Sequence, residues 1–127
     1  MLITIVTVTY NAESTLERTL KSVEMQTHGN VEHIIMDGAS KDGTLAIAQA
    51  YKERNDDRDI RIVSEPDKGL YDAMNKAINM ARGKFVCFLN AGDKLHAADT
   101  LDKIASAASL HPDAGVIYGD TDIVDDN

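Results

Sequence analysis

Residues 31–54 read VEHIIMDGASKDGTLAIAQAYKER, and they hold one whole repeating unit of the fold. Val31–Met36 reads as a short strand, with Ile34, Ile35 and Met36 as its apolar run. Asp37-Gly38-Ala39-Ser40-Lys41-Asp42-Gly43 is built from turn-forming residues. Thr44 to about Arg54 reads as a helix, and Asn55-Asp56-Asp57 marks its exit.

Working outward, the same alternation continues on both sides. Upstream, Leu2–Val8 is a strand rich in β-branched residues, and Leu16, Leu20 and Val23 share one face of a helix. Ser14 and Glu17 have the spacing of a capping box, with Asn11 as a second candidate for the cap. Downstream, Ile60–Val63 is a third strand, followed by a loop bounded by Pro66 and Gly69. Leu70, Ala73, Met74, Ala77, Ile78 and Ala81 then repeat with helical period, and Gly83 is expected to end that helix. Phe85–Leu89 is a fourth strand. Leu101, Ile104, Ala105 and Ala108 mark a fourth helix ending near His111-Pro112, and Val116–Tyr118 is a fifth strand. The acidic stretch Asp120–Asn127 reads either as the start of a strand or as a frayed end.

Strands alternating with helices predict an α/β fold with a mostly parallel sheet covered on both faces. Such sheets bind ligands beyond the carboxyl ends of their strands. The residues there are Thr9-Tyr10-Asn11, Asp37, Ser64-Glu65 with Asp67-Lys68, Asn90-Ala91-Gly92-Asp93, and Gly119-Asp120. Polar residues also suit plain turns, so no one of these exits identifies a site by itself.

The bulk numbers narrow the function. A length of 127 residues fits one domain, and 43% hydrophobic with 27% charged is an ordinary globular balance. The net charge of −8 excludes a nucleic-acid binder, which would carry a basic footprint. It does not exclude a nucleotide, whose phosphates can be held by backbone N–H groups or a bridging cation. The single cysteine, Cys87, allows no internal disulfide, points to a reducing compartment and reads as a buried hydrophobe. No apolar run approaches the roughly 20 residues needed to span a bilayer. Met1-Leu2-Ile3-Thr4 has no basic leader region, so a cytoplasmic location is expected. Peripheral membrane association through parts outside this chain stays open.

Several chemistries are excluded by pattern. There is no G-x-G-x-x-G and no G-x-S-x-G. Gly38 and Gly43 have Walker spacing, but Thr44 stands where a P-loop needs lysine. His28, His33, His96 and His111 show no zinc-ligand spacing. Asp93 carries two readings from spacing alone. It is either a turn or N-cap residue before the fourth helix, or a carboxylate aimed into the crevice to hold a hard divalent cation together with phosphate oxygens.

Taken in order, these exits resemble the sequence blocks of family 2 glycosyltransferases. The blocks are Ile5-Val6-Thr7-Val8-Thr9-Tyr10-Asn11, Glu32 through Asp37 to Thr44, Glu65-Pro66-Asp67-Lys68-Gly69-Leu70-Tyr71-Asp72-Ala73-Met74-Asn75-Lys76, Gly83 through Asn90 to Asp93, and Tyr118-Gly119-Asp120. The resemblance covers nearly the whole chain. It implies the GT-A fold, a Rossmann-like sheet truncated here at its C-terminal end, as the nucleotide-sugar-binding portion of a longer enzyme.

By the same resemblance the donor, a UDP-sugar by family habit, would meet Thr9, Tyr10, Asn11, Asp37, Asp67, Lys68 and Asn90. Thr9 would lie near the base, Asp37 at the uracil or ribose, and Asp67 and Lys68 near the diphosphate. Asp93 would bind Mg²⁺ or Mn²⁺. The commoner family pattern at the fourth block is Asp-x-Asp-Asp. Here Asn90-Ala91-Gly92-Asp93 keeps only the last carboxylate, a variant familiar in bacterial surface-polysaccharide enzymes, and this puts a ribose or sugar contact from the middle acid in doubt.

The implied reaction is sugar transfer with inversion to an acceptor hydroxyl on a saccharide or lipid-linked molecule. It needs a general base, which the resemblance puts beyond Asn127 rather than at Asp120, Asp122, Asp125 or Asp126. This fragment alone is therefore expected to transfer sugar poorly. Two other classes are weighed against this one. A response-regulator receiver would need a carboxylate pair after strand one and a lysine after strand five, which are missing. A nucleotide-binding domain without activity would keep the fold and lose the chemistry.

Overall fold

The computed structural model describes residues 2–95, 97–110 and 116–118. Strands β1 (Ile3–Thr9), β2 (Val31–Asp37), β3 (Asp59–Ser64), β4 (Phe85–Phe88) and β5 (Val116–Tyr118) alternate with helices α1 (Leu16–Glu24), α2 (Thr44–Arg54), α3 (Leu70–Met80) and α4 (Thr100–Leu110). All neighbouring strands pair in parallel, in the order β3-β2-β1-β4-β5. The chain builds outward from β1 to β3, then returns to the other side of β1 with β4. The strand order therefore reverses between β1 and β4, and that switch point is where an open α/β sheet has its ligand crevice.

The helices cover both faces because alternate strand residues point to opposite sides. On one face Ile3, Ile5, Cys87 and Leu89 pack with Val23 of α1 and with Leu101 and Ile104 of α4. Beside them Ile35 and Ile60 meet Leu16 and Leu20 of α1 and Ala48 and Tyr51 of α2. On the other face Val6, Ile34, Met36, Val86 and Phe88 pack against Ala73, Met74 and Ala77 of α3.

Two expected helix ends differ. The Ser14–Glu17 capping box does not form: α1 begins after Thr15 without a side-chain cap, and the Leu16 N–H donates to Ala12 O at 2.9 Å. Glu17 is drawn instead to Arg54 of α2, 2.8 Å away. Nor does Asn11 cap that helix, because its side chain accepts the Lys41 N–H at 2.8 Å. At the other end of the chain's middle, α3 stops at Met80 and Ala81 is already extended. Gly83 serves close approach rather than helix termination. A Cβ there would lie 2.5 Å from Thr4 Oγ1 and 2.6 Å from Thr4 N, and the Gly83 N–H donates to that hydroxyl.

Buried polar groups gather at the end of the sheet away from the strand exits. Glu32, fully buried, accepts hydrogen bonds from Thr4 Oγ1 (2.7 Å), Arg61 (2.6 Å), Arg82 Nε (2.7 Å) and the Arg82 amide (2.8 Å). Burial pushes its pKa up, but Arg82, Thr4 and Arg61 outweigh that and bring it down to about 2. Next to it, His33 lies between Thr7 Oγ1 at 2.8 Å and the Tyr51 hydroxyl at 2.9 Å. Burial alone lowers its pKa to about 3, so this imidazole is neutral in the fold.

Candidate functional site

Three strand exits lie side by side. The register pairs Thr9 with Asp37 and Asp37 with Ser64, so all three are the last residues of their strands. The Asp37 carboxylate is almost fully buried. It accepts the Ser64 hydroxyl at 2.7 Å and the Ser40 N–H at 3.0 Å, and the Ser40 hydroxyl donates to its other oxygen. The two bonds on Oδ2 use both of its lone pairs, so these serines fix the carboxylate's orientation and leave one acceptor position, on Oδ1, for a ligand.

The loops after β1 and β2 are laced together. Asn11 N–H donates to Ser40 Oγ at 2.8 Å, Ala12 N–H to Thr44 Oγ1 at 2.8 Å, and Gly43 N–H to Glu13 Oε2 at 3.2 Å. This lacing holds Asn11 (φ 46°) and Ala39 (φ 62°) in the left-handed region, which is uncommon for residues with a side chain. Tyr10 is 60% exposed at the rim. Gly38 lies between it and the next loop: a Cβ on Gly38 would be 3.4 Å from the Tyr10 ring and 3.0 Å from Asp67 Oδ2.

Asp67 itself accepts the Gly69 N–H at 3.0 Å. Its loop is tied down by the Glu65 N–H donating to Asp37 O at 2.9 Å and by Lys76, which reaches Glu65 at 3.2 Å and Asp72 at 3.3 Å. Lys68 rides on the exposed crest, with its amide on Asp72 at 3.0 Å. That amide, and then Lys76, hold the Asp72 carboxyl below the ordinary carboxylate range.

On the other side of the switch point, the exit of β4 joins β1 through Leu89 N–H to Val6 O (2.8 Å) and Ala91 N–H to Val8 O (3.2 Å). Residues 90–93 then turn back, with Asp93 N–H on Asn90 O at 2.9 Å and Gly92 at φ 98°. Asp93 does not cap α4, which starts only at Thr100. Two side chains of α1 and Gln26, just past its end, hold this segment. Thr19 Oγ1 accepts the Gly92 N–H at 2.9 Å and donates to Asp93 O at 2.5 Å. Ser22 Oγ accepts the Leu95 N–H at 3.1 Å, and Gln26 bridges Ala97 O at 2.7 Å and the Leu101 N–H at 2.9 Å. Sequence reading took α1 for its apolar face alone. The missed signal was polar residues at 19, 22 and 26, which fall on one stripe beside the apolar positions.

Two buried side-chain oxygens at this edge have no partner: Thr9 Oγ1 and Asn90 Oδ1. They flank the switch point, from β1 and from the exit of β4. Continued past Phe88, the register pairs Asn90 with Val8 and Thr9 with Ala91, so the two side chains leave the sheet on opposite faces. Each is by itself a candidate contact for a polar group, because buried polar atoms are nearly always hydrogen-bonded. The contacts link Asn11 to Asp37 through Ser40 and set Tyr10 and Asp67 on either side of Gly38 at the exits of β1–β3, while Asn90 and Asp93 lie on the separate loop that leaves β4 and packs on Thr19. Among the described residues, no three of His, Cys, Asp and Glu converge as a metal cage. A hard cation fits here only with most of its oxygen ligands brought by a ligand such as a diphosphate, which is an ordinary arrangement for Mg²⁺. Gly119, Asp120, Asp122, Asp125, Asp126, His96 and His111 lie outside the described residues.

A five-stranded parallel sheet with helices on both faces and polar residues at its strand exits defines an open α/β protein. The chain matches the model of glycosyl transferase family 2 over residues 4–126, and it belongs to that family. This closes the receiver alternative. It is 38% identical over 112 residues to a PGL/p-HBAD biosynthesis glycosyltransferase of Mycobacterium bovis, covering 88% of this chain and 43% of the relative. It is 41% identical over 93 residues to TuaG of Bacillus subtilis, named for teichuronic acid biosynthesis, covering 73% and 36%. The chain thus spans less than half the length of these curated relatives. Among solved structures it resembles the mannosyltransferase PcManGT of Pyrobaculum calidifontis in complex with GDP-Man and Mn²⁺, with a TM-score of 0.79, 27% identity and coverage of 84% and 32%. It resembles Staphylococcus aureus TarS 1-349 in complex with UDP-GlcNAc equally well, with a TM-score of 0.79, 27% identity and coverage of 88% and 32%. The fold is GT-A.

Proposed function

We propose that this chain is the donor-binding part of an inverting, metal-dependent glycosyltransferase that uses a UDP-sugar and works in the cytoplasm on a cell-surface glycan. The observation that carries the reading is the pair of orphaned buried oxygens, Thr9 Oγ1 and Asn90 Oδ1, across the switch point. The mycobacterial and Bacillus relatives are named for PGL/p-HBAD and teichuronic acid biosynthesis, which supports the glycan assignment. The solved neighbours hold nucleotide sugars, one of them with Mn²⁺.

In this reading Thr9 and the Ser40- and Ser64-oriented Asp37 receive the base and ribose, with Tyr10 and Asn11 at the rim. Asp67 and Lys68 lie towards the diphosphate, Asn90 accepts a donor hydroxyl, and Asp93 holds Mg²⁺ or Mn²⁺. When bound, that cation supplies positive charge to the diphosphate as it leaves. The chain's own residues bind and orient the donor, so that the acceptor oxygen attacks the anomeric carbon opposite the departing diphosphate. The diphosphate leaves with the electrons of the broken bond, and a base outside the described residues takes the acceptor proton. The acceptor is a saccharide or lipid-linked hydroxyl.

The test is calorimetric titration of UDP, with GDP alongside, in Mn²⁺ and in EDTA, for the wild-type chain and Asp93→Ala. Binding strengthened by Mn²⁺, with the gain lost by about tenfold or more in Asp93→Ala, is expected. Equal binding in EDTA, or an unaffected variant, removes Asp93 from the metal role. A folded chain that binds neither nucleotide overturns the donor-site reading.

A further inference from the structure

Resting on that reading, we infer that Thr19 of α1 is a positioning residue for the cation: it fixes the turn that aims the Asp93 carboxylate. Thr19 is fully buried, yet it is polar and its hydroxyl is saturated by one short segment. It accepts from Gly92 N–H at 2.9 Å and donates to Asp93 O at 2.5 Å, so both main-chain groups that flank the Gly92–Asp93 peptide junction hang on one oxygen.

The need for such a clamp follows from the backbone. Beyond Ala91, which still bonds Val8 O of β1, the main-chain groups of Gly92, Asp93, Leu95 and Ala97 meet side chains of α1 and of a residue just after it, and buried main-chain groups must find partners. Thr19 and Ser22 of α1 and Gln26, two residues past its end, supply these. Of the three, only Thr19 acts at Asp93. The turn it grips contains Gly92 at φ 98°, a conformation open to glycine and costly for other residues, so the loop geometry is specified from both sides. A metal site with a single protein carboxylate has little redundancy. An error in the direction of that carboxylate cannot be absorbed by a second one, and groups that orient a ligand commonly control affinity as strongly as the ligand itself.

The experiment measures UDP affinity with saturating Mn²⁺ and again in EDTA, for Thr19→Val, Thr19→Ser, Ser22→Ala and Asp93→Ala. Thr19→Val keeps the shape and removes the hydroxyl. It is expected to lose about tenfold or more of the Mn²⁺-dependent gain, with binding in EDTA unchanged and a folded circular dichroism spectrum. Thr19→Ser should restore the gain to within about threefold, because it keeps the oxygen. Ser22→Ala, one turn further from Asp93, should cost less than Thr19→Val.

A Thr19→Val chain with its full Mn²⁺ gain, or losses equal in Thr19→Val and Ser22→Ala, overturns the inference while leaving the site reading intact. An intact Mn²⁺ gain in Asp93→Ala instead overturns the reading on which it rests. If Thr19→Val does not fold, Gly92→Ala decides. Its added methyl meets nothing closer than Thr15 Cβ at 3.8 Å, but it strains the same turn and should lose the Mn²⁺ gain in the same way. Full retention there counts against the inference.

Discussion

Thr9 carries a cost that the fold itself does not offset. Its hydroxyl is buried at the end of β1 with no partner, although the neighbouring Asp37 is satisfied three times over. An unsatisfied buried hydroxyl costs about 1–3 kcal/mol, and an apolar replacement of the same shape removes that cost. Thr9→Val is therefore expected to raise the stability of the ligand-free chain by about 1 kcal/mol in urea unfolding, while weakening UDP binding. A variant that is less stable and binds UDP normally would show that the hydroxyl has an internal role. Asn90 poses the same question with a carbonyl oxygen, and it stands where the commoner family pattern has a carboxylate. With a neutral group there, Asp93 is left as the only carboxylate of its turn.

At the scale of the element, β2 concentrates the chain's buried ionisable groups: Glu32, His33 and Asp37 lie on one strand. His33 is neutral in the fold, with its pKa lowered to about 3. An unfolded histidine takes up a proton below about pH 6.5. The unfolded chain thus binds more protons, and stability falls with pH by up to about 1.4 kcal/mol per unit from about pH 6.5 downward. Glu32, lowered to about 2, adds stability that is present above the ordinary glutamate range and is lost as pH falls from there towards 2. Urea midpoints measured between pH 7.5 and 5 should decline, and His33→Gln should flatten the decline. A level profile over that range would contradict a buried neutral His33. Helix α1 carries a comparable division of labour. Leu16, Leu20 and Val23 face the core, while Thr19 and Ser22, joined by Gln26 just past the helix end, hold the loop after β4.

For the whole molecule, Cys87 gives a probe of global opening. It lies in the middle of β4 at 1% exposure, and burial pushes its thiol up to about 11. The reactive species is the thiolate, so a folded chain at pH 8 should react with a thiol reagent far more slowly than the chain in urea. A nucleotide that binds the folded state adds further protection in proportion to its concentration over Kd. UDP with Mn²⁺ should therefore slow the reaction again. Labelling as fast in buffer as in urea would contradict the buried position. No helix among the described residues is long and apolar enough to cross a membrane.

The order and type of the elements were legible in the sequence, because helical and strand periods are local properties of neighbouring residues. The helix pattern from Leu70 to Ala81 came through almost unchanged, and the strands differ by a residue or so at their ends. The exits Thr9, Asp37 and Asn90 could be singled out for the same reason, since each directly follows or ends an apolar run, and Asp67 and Asp93 come a few residues behind one. What the sequence by itself determined was thus an alternating α/β chain with a ligand edge. Only the tertiary structure decided which exits are neighbours, since β4 returns beside β1 across more than seventy residues and brings the loop after Leu89 next to the end of β1. It also decided the local contests. Glu17 could have closed a capping box, but Arg54 from α2 offered a charge. Glu32 and His33 look like surface residues in sequence, and they are buried because Arg61, Arg82 and Tyr51 arrive from distant segments to satisfy them. Polar groups are satisfied by whatever is near in space, and spacing along the chain does not carry that information.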